Sequence, residues 1–318
     1  MLTDEQIVSQ LPHVLDSTNF DFLGERYSGK VRENYLLNGE RYLITSDRLS
    51  AFDVVVTTVP FKGEVLNTLA VHWFKLTEDI CENHIVDVPD PNVMVVRDVQ
   101  ILPVEVVLRR CLAGSAWRDY QAGKAVSGVK LPPGLRESER LPDLIMTPST
   151  KAPKGQHDEP ISEAEILSKG IVERKIWEEV REKAMALFQL GEAQAAKQGL
   201  ILVDTKYEFG LRNGKVVLAD EIHTLDSSRY WIAQTYQERF EKGEQPEMLD
   251  KEPTRRWLLS QGYKGDGPVP EFTDEHRVQI SRHYIDSFTK ISGAQFQGEV
   301  GPTAKRIENN LRAYLSSK

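Results

Sequence analysis

Hydrophobic positions recur along the chain with two periods, and the changes of period mark its elements. Ile7, Val8, Leu11 and Leu15 fall at helical spacing behind Thr3 and Gln6, a capping box, so an amphipathic helix opens the chain. From Tyr27 the period drops to two. GKVRENYLL, Asn38-Gly39 and RYLIT predict two strands joined by a tight turn, with Lys30 and Arg32 on one strand face. Strand-like runs follow at 53–59, 85–88, 93–97 and 100–108, with one helical stretch at 65–76.

Residues 131–160 are dense in Pro, Gly, Ser and charge without sustained periodicity and read as a long surface excursion. Ser162 and Glu165 make a second capping box. Behind it Ile171, Ile176, Val180, Ala184, Leu187 and Leu190 mark a long amphipathic helix closing near Gly199. LILVDTKYEFG, a turn containing Asn213-Gly214, and KVVLADEIH predict a second hairpin. Helical patterns at 228–241, 254–260, 273–291 and 304–315 complete a helix-rich C-terminal half. The expected architecture is α+β, with a strand-rich N-terminal lobe over residues 1–105 and a larger α+β lobe over 106–318.

Composition narrows the partners. With 40% hydrophobic and 28% charged residues the chain is an ordinary globular one, and its 40 Lys plus Arg against 48 Asp plus Glu leave a formal charge of -8, which repels nucleic acid and anionic lipid. Its apolar runs are far shorter than the roughly 18 residues of a membrane span. Cys81 and Cys111 sit in apolar company as expected reduced thiols, and Asp4 and Glu5 stand where a signal peptide carries positive charge. The expectation is a cytoplasmic protein acting on small molecules.

Four clusters carry candidate chemistry. Gly29, Lys30 and Arg32 put a flexible glycine beside two cations, a way to cover nucleotide phosphates; the alternative is a solvated edge strand. Asp204, Lys206 and Glu208 alternate with Val203, Thr205, Tyr207 and Phe209, so a strand gathers the three charges on one face. Asp220 and Glu221 lie across the turn, so carboxylates able to hold magnesium converge, unless the face is a salt-bridged exposed one. Arg109 to Ser115 and Asp226 to Arg229 each join Arg and Ser at an expected helix start, a cradle for an anion or a plainly capped helix. SDRLSAFD (46–53) suits a cleft-lining loop or an ordinary turn, and His157-Asp158-Glu159 match no zinc spacing.

In this order GKVRENY, SDRLSAFD, KGEVLN, VEVVLRRCLAGSAW, GQHDEPIS, VDTKYEFGL and LADEIHTLDSSRYW resemble the SAICAR synthetases, phosphoribosylaminoimidazole-succinocarboxamide synthases of purine biosynthesis, in their longer form. The resemblance spans nearly the whole chain. It implies ATP-dependent condensation of CAIR (carboxyaminoimidazole ribonucleotide) with L-aspartate to SAICAR, ADP and phosphate. It also implies an antiparallel-sheet lobe covering ATP and a larger lobe with the magnesium and substrate sites, related to kinase and ATP-grasp folds. Carried over by position, Gly29, Lys30 and Arg32 contact ATP phosphates, Glu208 and Asp220 hold Mg2+, and Lys206 sits beside them. Arg109, Ser115, Ser228 and Arg229 hold the CAIR 5′-phosphate and Asp47 faces its base or ribose; Asp158 belongs to the CAIR and aspartate region and Lys251 to a phosphate contact. A small-molecule kinase shares the nucleotide lobe but needs a hydroxyl acceptor, and a nucleotide sensor needs no magnesium carboxylates.

Register is where residue arithmetic and resemblance conflict. A two-residue Asn213-Gly214 turn pairs Glu208 with Ala219 and aims Glu208 and Asp220 at opposite faces. A shared ion therefore predicts an odd loop of three or five residues that sets Glu208 opposite Asp220; failing that, Glu221 replaces Asp220.

Overall fold

The computed structural model describes residues 2–151, 158–249 and 251–318. Its contacts divide the chain into two compact units. One gathers residues 1–72, 84–98 and 250–318; the other gathers 73–83 and 99–249. This differs from a boundary at residue 105, because the C-terminal helices pack with the N-terminal sheet.

The first unit opens with α1 (Asp4–Gln10), whose Thr3–Gln6 capping box forms as the sequence predicts. Its main sheet is antiparallel and five-stranded: β1 (Glu25–Ser28), β2 (Arg32–Leu37), β3 (Glu40–Thr45), β7 (Val93–Arg97) and β6 (Ile85–Asp90), in that order. β1 was not legible as a separate strand. It ends at Ser28, opposite Glu33, so Gly29, Lys30 and Val31 lie in the connection rather than on a strand, and only Arg32 joins β2, opposite Thr45. β4 (Arg48–Ala51) and β5 (Val54–Thr58) form a small hairpin from SDRLSAFD, and α2 (Lys62–Leu76) follows. Tyr35, Tyr42, Ile44, Val93 and Val95 on the sheet's inner face pack with Leu15, Phe20 and Leu23, and Ile307 and Leu311 of the last helix, α9 (Thr303–Ser316), close that core. α7 (Glu252–Ser260) and α8 (Asp274–Ser292) belong to the same unit; Ser281 of α8 donates to the Pro60 carbonyl at 2.7 Å and Arg277 to that of Thr58 at 2.8 Å. The terminal helices are thus stitched to the N-terminal strands by buried apolar surface and by hydrogen bonds.

The second unit is built on two long antiparallel strands, β8 (Gln100–Cys111) and β11 (Leu200–Arg212), at the centre of a six-stranded sheet. β12 (Lys215–Ala219) and β13 (Ser228–Ile232) flank β11, while β9 (Arg140–Met146) and β10 (Ser149–Thr150) pair with β8. The excursion at 131–160 is therefore partly sheet: pairing with β8 supplies the order that its own sequence pattern lacks. The expected helix at 228–241 is likewise β13 followed by α6 (Ala233–Glu241), because Tyr230 and Trp231 are both buried as their strand pairs with β11. The second capping box forms at Ser162 and Glu165 but heads a separate short helix, α4 (Glu163–Ser168). Gly170, with φ +62°, breaks the chain before α5 (Arg174–Lys197). α5 lays Trp177, Val180, Ala184, Leu187 and Phe188 into the core, and α3 (Gly114–Gln121) follows β8. Cys81 and Cys111 are buried and free, and no helix among the described residues is long and apolar enough to cross a membrane.

Candidate functional site

The candidate residues of the first unit fall in three places. Lys30 reaches Asp53 at 2.6 Å from the β1–β2 connection, with both side chains more than half exposed. Asp53 and Phe52 form the two-residue turn between β4 and β5 with φ of +64° and +53°, and Lys251 and Arg255 face them across a cavity of about 210 Å3 also lined by Leu49 and Thr254. Asp47 departs from its expected place on a ligand. It is 1% exposed, and its carboxylate accepts from the backbone N–H groups of Leu15 at 2.7 Å and Gly63 at 2.9 Å, so it fastens the fold from inside. Burial pushes its pKa up to about 6 against those two hydrogen bonds.

In the second unit the charged face of β11 splits into two clusters of opposite character. Asp204 has an arginine on each side, because β11 lies between β8 and β13 and the register sets Arg109 and Arg229 opposite it. Both guanidiniums donate to Asp204 Oδ2, Arg109 at 3.1 Å. Arg109 also donates to Thr147 Oγ1 at 2.8 Å and to Ser115 Oγ at 3.0 Å, on the first turn of α3. Gly114 has φ +59°, and a Cβ there would stand 2.4 Å from Arg229 Nη2. Only glycine combines that backbone with that approach. One carboxylate between two guanidiniums leaves a net positive site beside a helix N-terminus, a cradle for an anion. Burial pulls the Arg109 pKa down, Asp204 opposes this and Arg229 adds to it.

Ser228 does not join this cradle. It lies opposite Thr205 and shares a 2.7 Å hydrogen bond with its hydroxyl, so strand alternation turns it to the other face from Arg229. The DSSR segment is a strand start rather than a helix start, and the expected second helix cradle is not formed.

Four residues further along β11, Glu208 lies directly opposite Glu105 of β8. Two buried like charges at that separation repel, and Lys206, on the same face, bridges them at 2.6 Å to Glu105 and 3.8 Å to Glu208. Lys151 ion-pairs with Glu208 as well. Burial first, then Asp220, push the Glu208 pKa up, with Lys151 and Lys206 offsetting only part of the rise. Burial alone would depress Lys206, but Glu105, Glu208 and Asp220 outweigh it and hold the ammonium charged.

The turn that sets this geometry has two residues: Arg212 pairs with Lys215 and Glu208 with Ala219. The odd loop is overturned. Asp220 still acts on Glu208, because β12 ends at Ala219 and Asp220 takes φ +65°, where strand alternation no longer governs direction. Glu221 turns instead to the Thr224 hydroxyl. Beneath, buried His223 shares a 2.6 Å hydrogen bond with Tyr207 Oη.

Lys151 and Glu105 were missed. Lys151 lies in the segment without periodicity; Glu105 had a signal, a lone acid within the apolar run VEVVL. Alternation puts Asp204 on the charged face, but its place between two arginines comes from pairing with β8 and β13. Asp158 is exposed at the edge of the described chain, and His157 lies outside the described residues.

A lysine-bearing glycine connection in one unit, and clustered carboxylates and paired arginines in the other, are the equipment of an enzyme that handles phosphate-bearing substrates. A sequence model of the SAICAR synthetase family matches residues 25–270. Phosphoribosylaminoimidazole-succinocarboxamide synthases of Bacteroides thetaiotaomicron and Flavobacterium psychrophilum are 47% and 44% identical, covering 95% and 96% of this chain and 99% and 100% of their own. Among solved structures, the SAICAR-synthase from Saccharomyces cerevisiae complexed with SAICAR is 30% identical with a TM-score of 0.79, covering 89% of this chain and 100% of its own. A SAICAR synthetase in complex with ADP is 26% identical with a TM-score of 0.66, covering 86% and 100%. The chain belongs to the SAICAR synthetase family.

Proposed function

We propose that this chain condenses CAIR with L-aspartate at the expense of ATP, giving SAICAR, ADP and phosphate, a carbon–nitrogen ligation of purine biosynthesis. The observation that carries the reading is the Arg109–Asp204–Arg229 cluster with Ser115, a preformed net positive cradle on the same strand face as buried carboxylates. A kinase acting on a plain hydroxyl has no use for that cradle.

Carboxylate oxygen is a poor leaving group, so the CAIR carboxylate is first phosphorylated by ATP and the aspartate amine then attacks the acyl phosphate, expelling phosphate. Gly29, Lys30 and Arg32 are assigned to ATP phosphates, with Lys251 as a further phosphate contact. Arg109, Ser115 and Arg229 take the CAIR 5′-phosphate, Lys206 stabilises charge beside the reacting groups, and Asp158 belongs to the CAIR and aspartate region. Ser228 and Asp47 keep supporting roles, through Thr205 and through the backbone at Leu15 and Gly63. Among the described residues no self-contained cage of three or more His, Cys, Asp or Glu is gathered. The donor set fits magnesium, which takes one or two carboxylates and completes its shell with phosphate oxygens and water. Glu208 and Asp220 would hold it, and the ion would neutralise charge between nucleotide phosphates. Buried free Cys81 and Cys111, the latter pushed to about 12 by burial, suit a reducing cytoplasm.

Incubation of the protein with ATP, magnesium, CAIR and aspartate is expected to yield SAICAR, with ADP release slow when aspartate is omitted. Equal ATP turnover with CAIR left out would rule the ligase reading out.

A further inference from the structure

The SDRLSAFD hairpin carries a second charged residue that the assignments above leave unused. Arg48 follows buried Asp47 and is itself 7% exposed. Its guanidinium is spent almost entirely on backbone carbonyls: Nε donates to Lys30 O at 2.8 Å, Nη2 to Gly29 O at 3.0 Å, and Nη1 to Asp16 O. Nη1 also meets Glu33 Oε1 at 2.7 Å, and that carboxylate is held further by Ser28 Oγ at 2.8 Å and Arg26 Nε at 3.5 Å.

The consequence is geometric. The peptides here are trans, so the C=O of one residue and the N–H of the next point in opposite directions. With the carbonyls of Gly29 and Lys30 both drawn onto one guanidinium, the N–H groups of Lys30 and Val31 are both turned away from it. The neighbouring bonds fix the rest of the turn: Gly29 N–H donates to Arg32 O at 2.8 Å, and Ser46 N–H to Val31 O at 2.9 Å. Two adjacent donors facing one way beside a lysine are what a phosphate group needs.

We propose that Arg48 is a positioning residue that presets the Gly29–Lys30 connection for the nucleotide's phosphates, by holding its carbonyls inward and its N–H groups outward. This rests on the assignment of Gly29, Lys30 and Arg32 to ATP. Arg48 touches no substrate; it acts through the two peptides. A flat bidentate fork reaches two carbonyls at once, and a lysine ammonium at the same place cannot reproduce that geometry.

Arg48→Lys keeps a cation beside buried Glu33, so the folded unit is retained while the fork is lost. KM for ATP is expected to rise about tenfold to a hundredfold, the weight of a charge-assisted hydrogen bond, with KM for CAIR moving less than about twofold. An unchanged KM for ATP, or equal rises for ATP and CAIR, overturns the proposal. An inactive wild-type protein would instead sink the ligase reading itself, so the two failures are told apart. If the variant does not fold, amide exchange in the wild type decides: ADP is expected to slow exchange at the amides of Lys30 and Val31, and their indifference to saturating ADP overturns the proposal.

Discussion

The two charge clusters on β11 share a strand, a face and a low-dielectric setting, and they are mirror images in charge. Around Asp204 two arginines outnumber one carboxylate; around Glu208, Glu105 and Asp220 stand with two lysines on hand. Each is left with an excess of one kind, and burial makes that excess costly. It draws the Arg109 pKa down in the first cluster and the Glu208 pKa up in the second. A fold that needed only stability would pair such charges evenly or replace them with apolar residues. On the function proposed above, ligands complete the imbalance, an anion at Asp204 and a cation at Glu208. The clusters differ in what fixes them. The cradle is set by register on both sides of β11, whereas the acid pair depends on Asp220 leaving the strand with a left-handed φ.

The sharpest way to break the comparison is to neutralise one acid. Glu208→Gln or Asp220→Asn is expected to cut magnesium-dependent turnover by about a hundredfold to a thousandfold, the scale seen when one electrostatic contributor to a transition state is removed. Stability should hardly move, because removing either charge relieves repulsion while Lys206 keeps Glu105. Turnover within a fewfold of wild type would show that the acid excess serves no cation.

The cradle is assigned above to a different substrate. Arg229→Ala is expected to weaken CAIR binding by about 1.5 to 3 kcal/mol and leave ATP binding nearly unchanged. Gly114→Ala should act in the same direction more mildly, its Cβ pushing the guanidinium aside from 2.4 Å. Calorimetry with CAIR and with an ATP analogue separates the outcomes; a loss confined to ATP would reverse the assignment of the cradle.

Much of this was legible because some residues state their geometry. Asn38-Gly39 and Asn213-Gly214 turn with φ of +52° and +77° and of +51° and +75°, and each dipeptide suits a left-handed pair, so two hairpins could be read directly. Phe52-Asp53 makes the same turn with φ of +53° and +64°, and nothing in a Phe-Asp pair announces it. Strain there is held by tertiary contacts: Gly265 lies so close that a Cβ on it would stand 2.9 Å from Phe52 Cβ, and Arg255 stacks over the Phe52 ring at 4.9 Å. Alternation along β11 places Asp204, Lys206 and Glu208 on one face, but it is blind past a strand end, so by alternation alone only an odd loop brings Asp220 round. Lys151 and Glu105 reach Glu208 only through pairing across long separations, β10 on β8 and β8 on β11, which no local pattern carries.

The ionisation of Glu208 gives a subtler test. Its pKa is raised above the ordinary 4.5, so at pH values between the two the folded state holds a proton that the unfolded chain has released. The stability this contributes is complete below the ordinary value and is lost as pH rises through the folded one. Without magnesium, melting temperature should therefore fall as pH is raised across that window, less steeply for Glu208→Gln. Added magnesium should also lessen the fall, since a bound cation favours the ionised acid. Asp47, pushed to about 6, gives a slope of the same sign between about pH 4 and 6, so the comparison is read as the difference between wild type and variant. Parallel curves for the two proteins would mean that Glu208 carries no raised pKa.

The smallest effect should come from the turn itself. Gly214 has φ +75° at an exposed corner where an added Cβ meets nothing within 4 Å, so Gly214→Ala adds backbone strain and no collision. The cost is about 1 to 2 kcal/mol, a melting temperature lower by a few degrees. Register should survive, because Val216, Val217, Leu218 and Ala219 are all buried and a one-residue slip would place a side chain of the wrong size in most of these packed sites. Both clusters then keep their geometry, and the KM values for ATP and CAIR and the magnesium requirement should stay at wild-type levels. A magnesium requirement that rose while KM for CAIR held steady would mean that the turn, and not the packing of β12, sets the approach of Asp220 to Glu208.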